Sequence, residues 1–474
     1  MARKRPTDSR DSSVEGERSR GPTLGVARQR PLVPDPAGPI GAAYLRSAVR
    51  HPLVYRKRIE RVEKARPGDL VAVYAPGDRL LGYGLYNPRS EIAVRMLFFG
   101  AELPDEAAWQ RRLDAAVSLR REVLHLDDAT DAYRVIHAEA DGLSGLVVDR
   151  LGDVLSAEVY TLGMYQRATA VLERLSAGLG TRHALVRPSP QFLSQEGCQP
   201  PEIALGWHAP PEGASPGHRP VTVHGDCPNF RPTKMGLSPS ADLPAEVTIR
   251  EFGTRFRVCF ASGHKTGFFC DQRENRRRLA DFCRGRSLLD LCCYTGGFAL
   301  QAKCLGQAAD VTGVDLDEEP LRLARENANL NHARIRFVQD DAFAYMREML
   351  RQDRQYDVVV LDPPKLVRTR TELAEGTRKH FDLNRLAMRL VRPGGLMLSC
   401  CCSGLLPEAE FLKLLRAAAA QSGQELPTAP DDSSTRHAAR SMQVLARSGA
   451  AADHPVSASV PETEYLKAAW LRLE

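Results

Sequence analysis

The chain has 474 residues, 43% hydrophobic and 26% charged, with a formal net charge of +6. That length exceeds one ordinary domain and predicts two or three compact units, each with its own core. No apolar run approaches the roughly 18 residues that a membrane span needs, and the basic N-terminus lacks an apolar h-region, so membrane and secretory classes are excluded and a cytoplasmic location is expected.

A charge of +6 is modest and does not by itself establish a polyanionic partner. In residues 1–41, basic side chains stand among Pro, Ser and Gly, a composition that cannot build a core, and the segment reads as a disordered basic tail. Such a tail could hold phosphates without choosing a sequence, or simply solubilise the chain. Five of the eleven cysteines are the neighbours Cys292-Cys293 and Cys400-Cys401-Cys402, whose side chains point apart, which favours reduced thiols over disulfides. Cys198, His208, His218, His224 and Cys227 cluster in sequence, but their spacing matches no familiar zinc pattern, and no metal is expected.

From residue 42 to about 103 short apolar alternations are broken by Pro-Gly-Asp and Asn-Pro, which predicts a small β-barrel. Residues 104–261 read as a central α+β unit, with a helical spacing over Glu106–Leu126 and strands between Tyr133 and Leu162. Its end is blurred by a Pro-, Gly- and His-rich insertion near 207–244. Residues 262–474 settle into alternating strand and helix, which predicts a Rossmann-like parallel sheet covered on both faces. The strands are SLLDL, ADVTGVD, IRFVQ, YDVVVLD and GLMLSC, with helices over 298–305, 318–331 and 342–351 between them.

Asp290, Asp315 and Asp362 close apolar strands, which puts three carboxylates at the edge where open α/β sheets bind ligands. After Asp290 the small residues Thr295, Gly296 and Gly297 open a helix, so their backbone amides can face a ligand carboxylate. Asp315 lies about 20 residues on, where an acid accepts from ribose hydroxyls. The G-x-G-x-x-G fingerprint of dinucleotide enzymes is absent, which favours S-adenosylmethionine over a nicotinamide cofactor. Asp341 either takes the adenine amino group or caps the next helix. Asp362-Pro363-Pro364-Lys365 is a rigid extended turn that can present its acid to a planar base. Cys400, Cys401 and Cys402 end the fifth strand across the same cleft, where a thiol could add to carbon 6 of a cytosine and activate carbon 5 for methylation. Asp362 would then stabilise the adduct at N3.

In this order, GHKTGFFCDQR (Gly263 to Arg273), LDLCCYTGGF (Leu289 to Phe298), DPPK (Asp362 to Lys365) and CCSGL (Cys401 to Leu405) resemble the motifs of the bacterial 23S rRNA cytosine-C5 methyltransferases that carry an N-terminal PUA domain. His51-Pro52 through Ser90, Glu139 to Leu143 and Ala452 to Pro455 are also similar, so the likeness covers nearly everything after Leu45. The resemblance implies Cys402 as the nucleophile, because Ser403-Gly404-Leu405 follow it, with Cys401 in place of the usual serine. It implies Tyr294 in the cofactor loop, and Lys265 and Gln272 in a segment closing over cofactor and substrate beside Pro363, Pro364 and Lys365. Cys270 and Cys292 read as core replacements. The partner implied is RNA, 23S rRNA in particular, with no membrane and with a homodimer left open. Two readings compete: an N-methyltransferase on an exocyclic base amine, though Lys365 stands where such enzymes place a stacking aromatic, and a non-catalytic RNA-binding protein retaining the fold.

Overall fold

The computed structural model describes residues 27–34, 38–207, 243–261, 265–423 and 439–474. Gly41–Leu45, Leu53–Val54, Ile59–Glu63, Leu70–Ala75, Arg79–Tyr86 and Val94–Phe99 form a six-stranded sheet. The first of these strands runs parallel to Leu70–Ala75, and the other pairings are antiparallel. Its inward Ala43, Leu45, Val71, Val73, Val94 and Met96 make a separate small core.

Next comes a five-stranded sheet of Ala132–His137, Leu146–Leu151, Val154–Val159, His183–Pro188 and Ile203–Gly206, covered by the helices Glu106–Ser118 and Ala168–Leu179. The continuous helix expected over 106–126 is interrupted. After Ser118 the chain makes a π turn over Leu119–Val123, and His125 is left-handed. This turn carries Arg120 fully inward, where its guanidinium holds Asp141 and the carbonyls of Arg134 and Asp453. A hairpin, Glu246–Glu251 with Thr254–Cys259, follows the insertion and packs against both this sheet and the next unit.

The C-terminal sheet holds seven strands: β1 Ser287–Leu291, β2 Asp310–Asp315, β3 Arg336–Gln339, β4 Tyr356–Leu361, β5 Val391–Cys401, β6 Met442–Ser448 and β7 Lys467–Leu473. Their order is β3-β2-β1-β4-β5-β7-β6. The five expected strands are parallel, whereas β7 and β6 are antiparallel additions that the sequence reading did not contain. The helices are α1 Arg273–Ala280, α2 Gly297–Cys304, α3 Glu318–Leu330, α4 Ala342–Arg351, α5 Leu373–Arg389 and α6 Glu408–Ala420.

Strand periodicity divides the core into two layers. Leu289, Leu291, Val359, Leu361 and Cys401 face α4, α5 and α6, while Leu288, Val358, Val360, Leu398 and Cys400 face α1 and α2. Register aligns Leu291 with Leu361, Leu361 with Ser399, and Cys401 with Lys467, so the chain leaves β1, β4 and β5 at one edge.

Part of the tail is not free. Leu32 is fully buried, the Arg30 amide donates to the Gln166 carbonyl, and its guanidinium pairs with Asp69. One apolar side chain finds a groove there that average composition conceals. Cys198 is buried in a hydrophobic core, while its four companions in the zinc pattern and nearly all of the insertion lie outside the described residues. No helix among the described residues is long and apolar enough to cross a membrane.

Candidate active site

The turn leaving β1 is tightly wound: Cys292, Tyr294 and Gly296 all have positive φ (62°, 51° and 80°). A Cβ on Gly296 would lie 3.1 Å from the Phe337 ring, so both conformation and space call for glycine. Beside it, Gly297 lets the side chain of Arg276 approach, and Arg276 is itself locked to Glu251 by a bidentate pair at 2.7 and 2.6 Å. Thr295 is buried and its carbonyl accepts from Asn327 at 3.3 Å.

Asp315 at the end of β2 organises this turn as well as facing outward. One oxygen accepts from the Tyr294 amide at 2.8 Å and the other from the Asp317 amide at 3.1 Å. The Gly296 amide is also spent internally, on the Cys293 carbonyl at 2.8 Å, which corrects the expectation that it faces a ligand. Cys292 is half-buried in the turn rather than a core replacement, whereas Cys270 is fully enclosed. Asp290 is buried. Its Oδ2 accepts from the Ala299 amide at 3.0 Å, its Oδ1 has no partner, and burial pushes its carboxyl well above the usual range. Asp341 does cap α4, accepting from the Ala344 amide at 3.0 Å. Leu316, next to Asp315, is 62% exposed, an apolar side chain in an otherwise polar rim.

Asp362 leaves β4 half-buried, with Pro363 buried and Pro364 and Lys365 exposed beyond it. Its Oδ2 accepts from the side-chain amide of Gln272 at 2.9 Å. Burial, and then the nearby Asp271 carboxylate, push the Asp362 carboxyl up to about 7. Burial also acts on Asp271, but His454, Lys265 and the Tyr465 hydroxyl, donating at 2.6 Å, hold it below the usual range. The two acids are thus separated, one ionised and one poised near neutrality.

The three consecutive thiols have different surroundings. Cys400 is enclosed against α1 and α2, Cys401 is enclosed on the other face with its sulfur 3.4 Å from His380 Nε2, and Cys402 alone is partly open. Burial and then Asp362 push the Cys402 thiol up to about 12, while Lys265 pulls it down. Beyond it, Ser403 fixes the turn: its hydroxyl accepts from the Val367 amide at 3.2 Å and its carbonyl from the buried Lys467 ammonium at 2.6 Å.

Lys265 is exposed, with its ammonium 5.1 Å from the Phe269 ring centroid, and Phe269 packs edge-on against Tyr294. The structure therefore gathers Asp362, Gln272, Cys402 and Lys265 at one edge, with Asp290, Asp315 and Tyr294 on the β1–β2 side. Sequence reasoning missed Lys467, Leu316 and Asn275. Only Asn275 carried a signal, three residues after Gln272 and hence one helical turn away.

A family model described as an S-adenosylmethionine-dependent methyltransferase matches residues 208–425, and a PUA-like domain model matches residues 46–99. Proteins named ribosomal RNA large subunit methyltransferase I are similar over almost their full lengths. The Photobacterium profundum relative is 32% identical over 424 residues, covering 88% of this chain and 94% of its own. The chain belongs to the ribosomal RNA large subunit methyltransferase I family. The Serratia proteamaculans member is 33% identical over 427 residues with the same coverages. A solved structure described as a methyltransferase complexed with SAH has a TM-score of 0.66 at 17% identity, covering 89% of this chain and 96% of that one. A Streptococcus mutans structure described as a SAM-dependent methyltransferase has a TM-score of 0.67 at 16% identity, covering 91% and 99%. These two likenesses concern the fold. As a member of the ribosomal RNA large subunit methyltransferase I family, the protein is an S-adenosylmethionine-dependent methyltransferase with a PUA-like N-terminal domain.

Proposed function

We propose that the protein methylates carbon 5 of a cytosine in 23S rRNA, with Cys402 as the nucleophile and Asp362 as its acid-base partner. The observation that carries this reading is the partly open thiol of Cys402 next to a carboxyl poised near neutrality, at the edge that also holds the cofactor turn. The free thiols among the described residues accord with a reducing, cytoplasmic setting.

The residues present fit S-adenosylmethionine. The orphaned buried Oδ1 of Asp290 suits a cationic amino group, Asp315 suits ribose hydroxyls, and exposed Leu316 suits one face of an adenine whose amino group Asp341 can receive. When bound, the cofactor supplies an electrophilic methyl group. Cys402 then has two tasks, adding to cytosine carbon 6 and later leaving it. Its thiol holds its proton at neutral pH, so the Asp362 carboxylate takes that proton as the sulfur–carbon bond forms. Asp362 passes the proton to N3, where negative charge would otherwise collect, and carbon 5 becomes nucleophilic. After methylation a solvent base takes the carbon 5 proton, the carbon 5–carbon 6 double bond re-forms as the carbon 6–sulfur bond breaks, and the N3 proton returns through Asp362 to the departing Cys402 thiolate. Lys265, by its charge, favours both anions in turn, and Pro363 and Pro364 keep Asp362 from swinging away. Domain limits of 42–103, 104–261 and 262–474 accompany this reading, with the first as the RNA-holding unit and Lys365 at the rim.

The test is mechanism-based trapping with 23S rRNA transcripts containing 5-fluorocytosine, in which fluorine stands in place of the carbon 5 proton and cannot be removed by a base. We expect a covalent protein–RNA adduct that is retained in Cys401→Ala and lost in Cys402→Ala. Trapping by Cys402→Ala would overturn the nucleophile, and methylation without any adduct would favour an exocyclic amine as the target.

A further inference from the structure

Gln272 is joined to a line of polar side chains, buried except for the half-buried Ser448, that leads away from the cleft into the antiparallel edge of the sheet. The indole nitrogen of Trp470 donates to Ser448 Oγ at 2.8 Å, and Ser448 Oγ donates to Asn275 Oδ1 at 2.7 Å. The Asn275 amide nitrogen donates to Gln272 Oε1 at 2.6 Å and to the Gly449 carbonyl at 3.2 Å. Gln272 Nε2 then donates to Asp362 Oδ2 at 2.9 Å. The polarity of this line is set by its fixed members: an indole N–H can only donate, and a backbone carbonyl can only accept. With its nitrogen directed at Gly449, Asn275 must present a donor to Gln272, and Gln272 must turn its own nitrogen to Asp362.

We propose that Asn275, held by Ser448 and Trp470, is a positioning residue that locks the Gln272 amide so that it donates to Asp362 and keeps this carboxyl in the state that can accept a proton. The role is drawn from hydrogen-bond geometry, and its catalytic meaning rests on the function proposed above. A Gln272 amide turned the other way would set its oxygen against the carboxylate and favour the protonated acid. Gln272 is buried and pulls Asp362 down against burial and Asp271, which push it up. The other charged or titratable groups facing Asp362 are Lys265, Arg276, Asp290, Cys292, Cys400, Cys401 and Cys402, and of these only Cys400 touches the line, through a hydrogen bond with Gln272. Asn275 and Ser448 touch neither Asp362 nor Cys402 in any of these contacts, so their influence has to pass through Gln272.

The experiment follows the Asp362 carboxyl by carbon-13 NMR through a pH titration of the full chain, with the signal assigned by its loss in Asp362→Asn. No substrate is needed, so failure of the proposed reaction and failure of this line are read separately. Asn275→Leu, which introduces no charge, is expected to raise the Asp362 midpoint by about one pH unit, as Gln272→Met does. In the Gln272→Met background Asn275→Leu should add nothing, because both act through one amide. Ser448→Ala, a milder change, should move the midpoint in the same direction by less, and it carries the test if Asn275→Leu does not fold. With RNA, the acid limb of the rate profile should move up with the midpoint, and methyl transfer at pH 7 should fall roughly fivefold with S-adenosylmethionine affinity unchanged. Unmoved midpoints in folded Asn275→Leu and Ser448→Ala, or full additivity with Gln272→Met, would overturn the proposal.

Discussion

Cys400, Cys401 and Cys402 are chemically identical, and what separates them is two-residue alternation followed by the end of a strand. The first two point into opposite helical layers, and only the third emerges where β5 stops. The sequence placed this run at the ligand edge, and the resemblance singled out Cys402. Burial supplies the physical reason: an enclosed thiol such as Cys401 cannot reach a base. Asp362 carries a second consequence. Its folded-state carboxyl titrates near 7, whereas an unfolded aspartate titrates near 4. Between those values the folded protein binds the extra proton, so stability falls as pH rises through that window. Asp362→Asn should therefore abolish methyl transfer yet raise the melting temperature at pH 8 by about 2–4 °C, with no gain at pH 4. An equal gain at both pH values would contradict the assigned carboxyl.

At the level of elements, the parallel strands were legible because each is a short apolar run closed by an acid or a turn. β2 and β4 lie over Asp310–Asp315 and Tyr356–Leu361, within a residue of the runs read from sequence. β6 and β7 were not legible. MQVLARS lacks an alternation that marks a core face, and KAAWLRL is an apolar run short enough to suit either a helix or a strand. The interrupted helix after Ser118 escaped for another reason, since only the distant partners of Arg120 favour the π turn. The cofactor turn offers a prediction at this scale. Gly296→Ala forces a side chain into a left-handed conformation, at a cost of about 1–2 kcal/mol, and presses its Cβ on Phe337. Calorimetric titration should find S-adenosylmethionine binding weakened roughly tenfold, while strands remote from the turn keep their amide-exchange protection. Unchanged affinity would separate this turn from the cofactor.

Across the whole molecule, Asp453 ties the central sheet to the methyltransferase unit. Its carboxylate accepts from the Arg134 amide at 2.8 Å and from both terminal nitrogens of Arg273 at 2.9 Å, and its carbonyl accepts from Arg120 at 2.7 Å. Burial opposes its ionisation, but His454 and Arg273 overcome that and hold the carboxyl far below the usual range. Its stabilisation is therefore present above about pH 4 and lost on acidification below that value. Asp453→Asn takes from the buried Arg273 its buried charge partner and leaves it only the more exposed Glu274 at 3.0 Å, and urea unfolding at pH 7 should show a loss of about 3 kcal/mol. A neutral outcome would mean that the two units do not depend on this contact. The sequence by itself determined the parallel α/β unit and its acid-tipped strands and named the candidates for the reacting groups, because periodicity, turn chemistry and motif order are local properties. Tertiary structure alone decided which of three thiols is open, how Asp362 comes to titrate near 7, and that Asn275, Ser448 and Trp470 reach it through Gln272. Those outcomes depend on burial, and on partners up to 173 residues apart that only the folded sheet edge brings together.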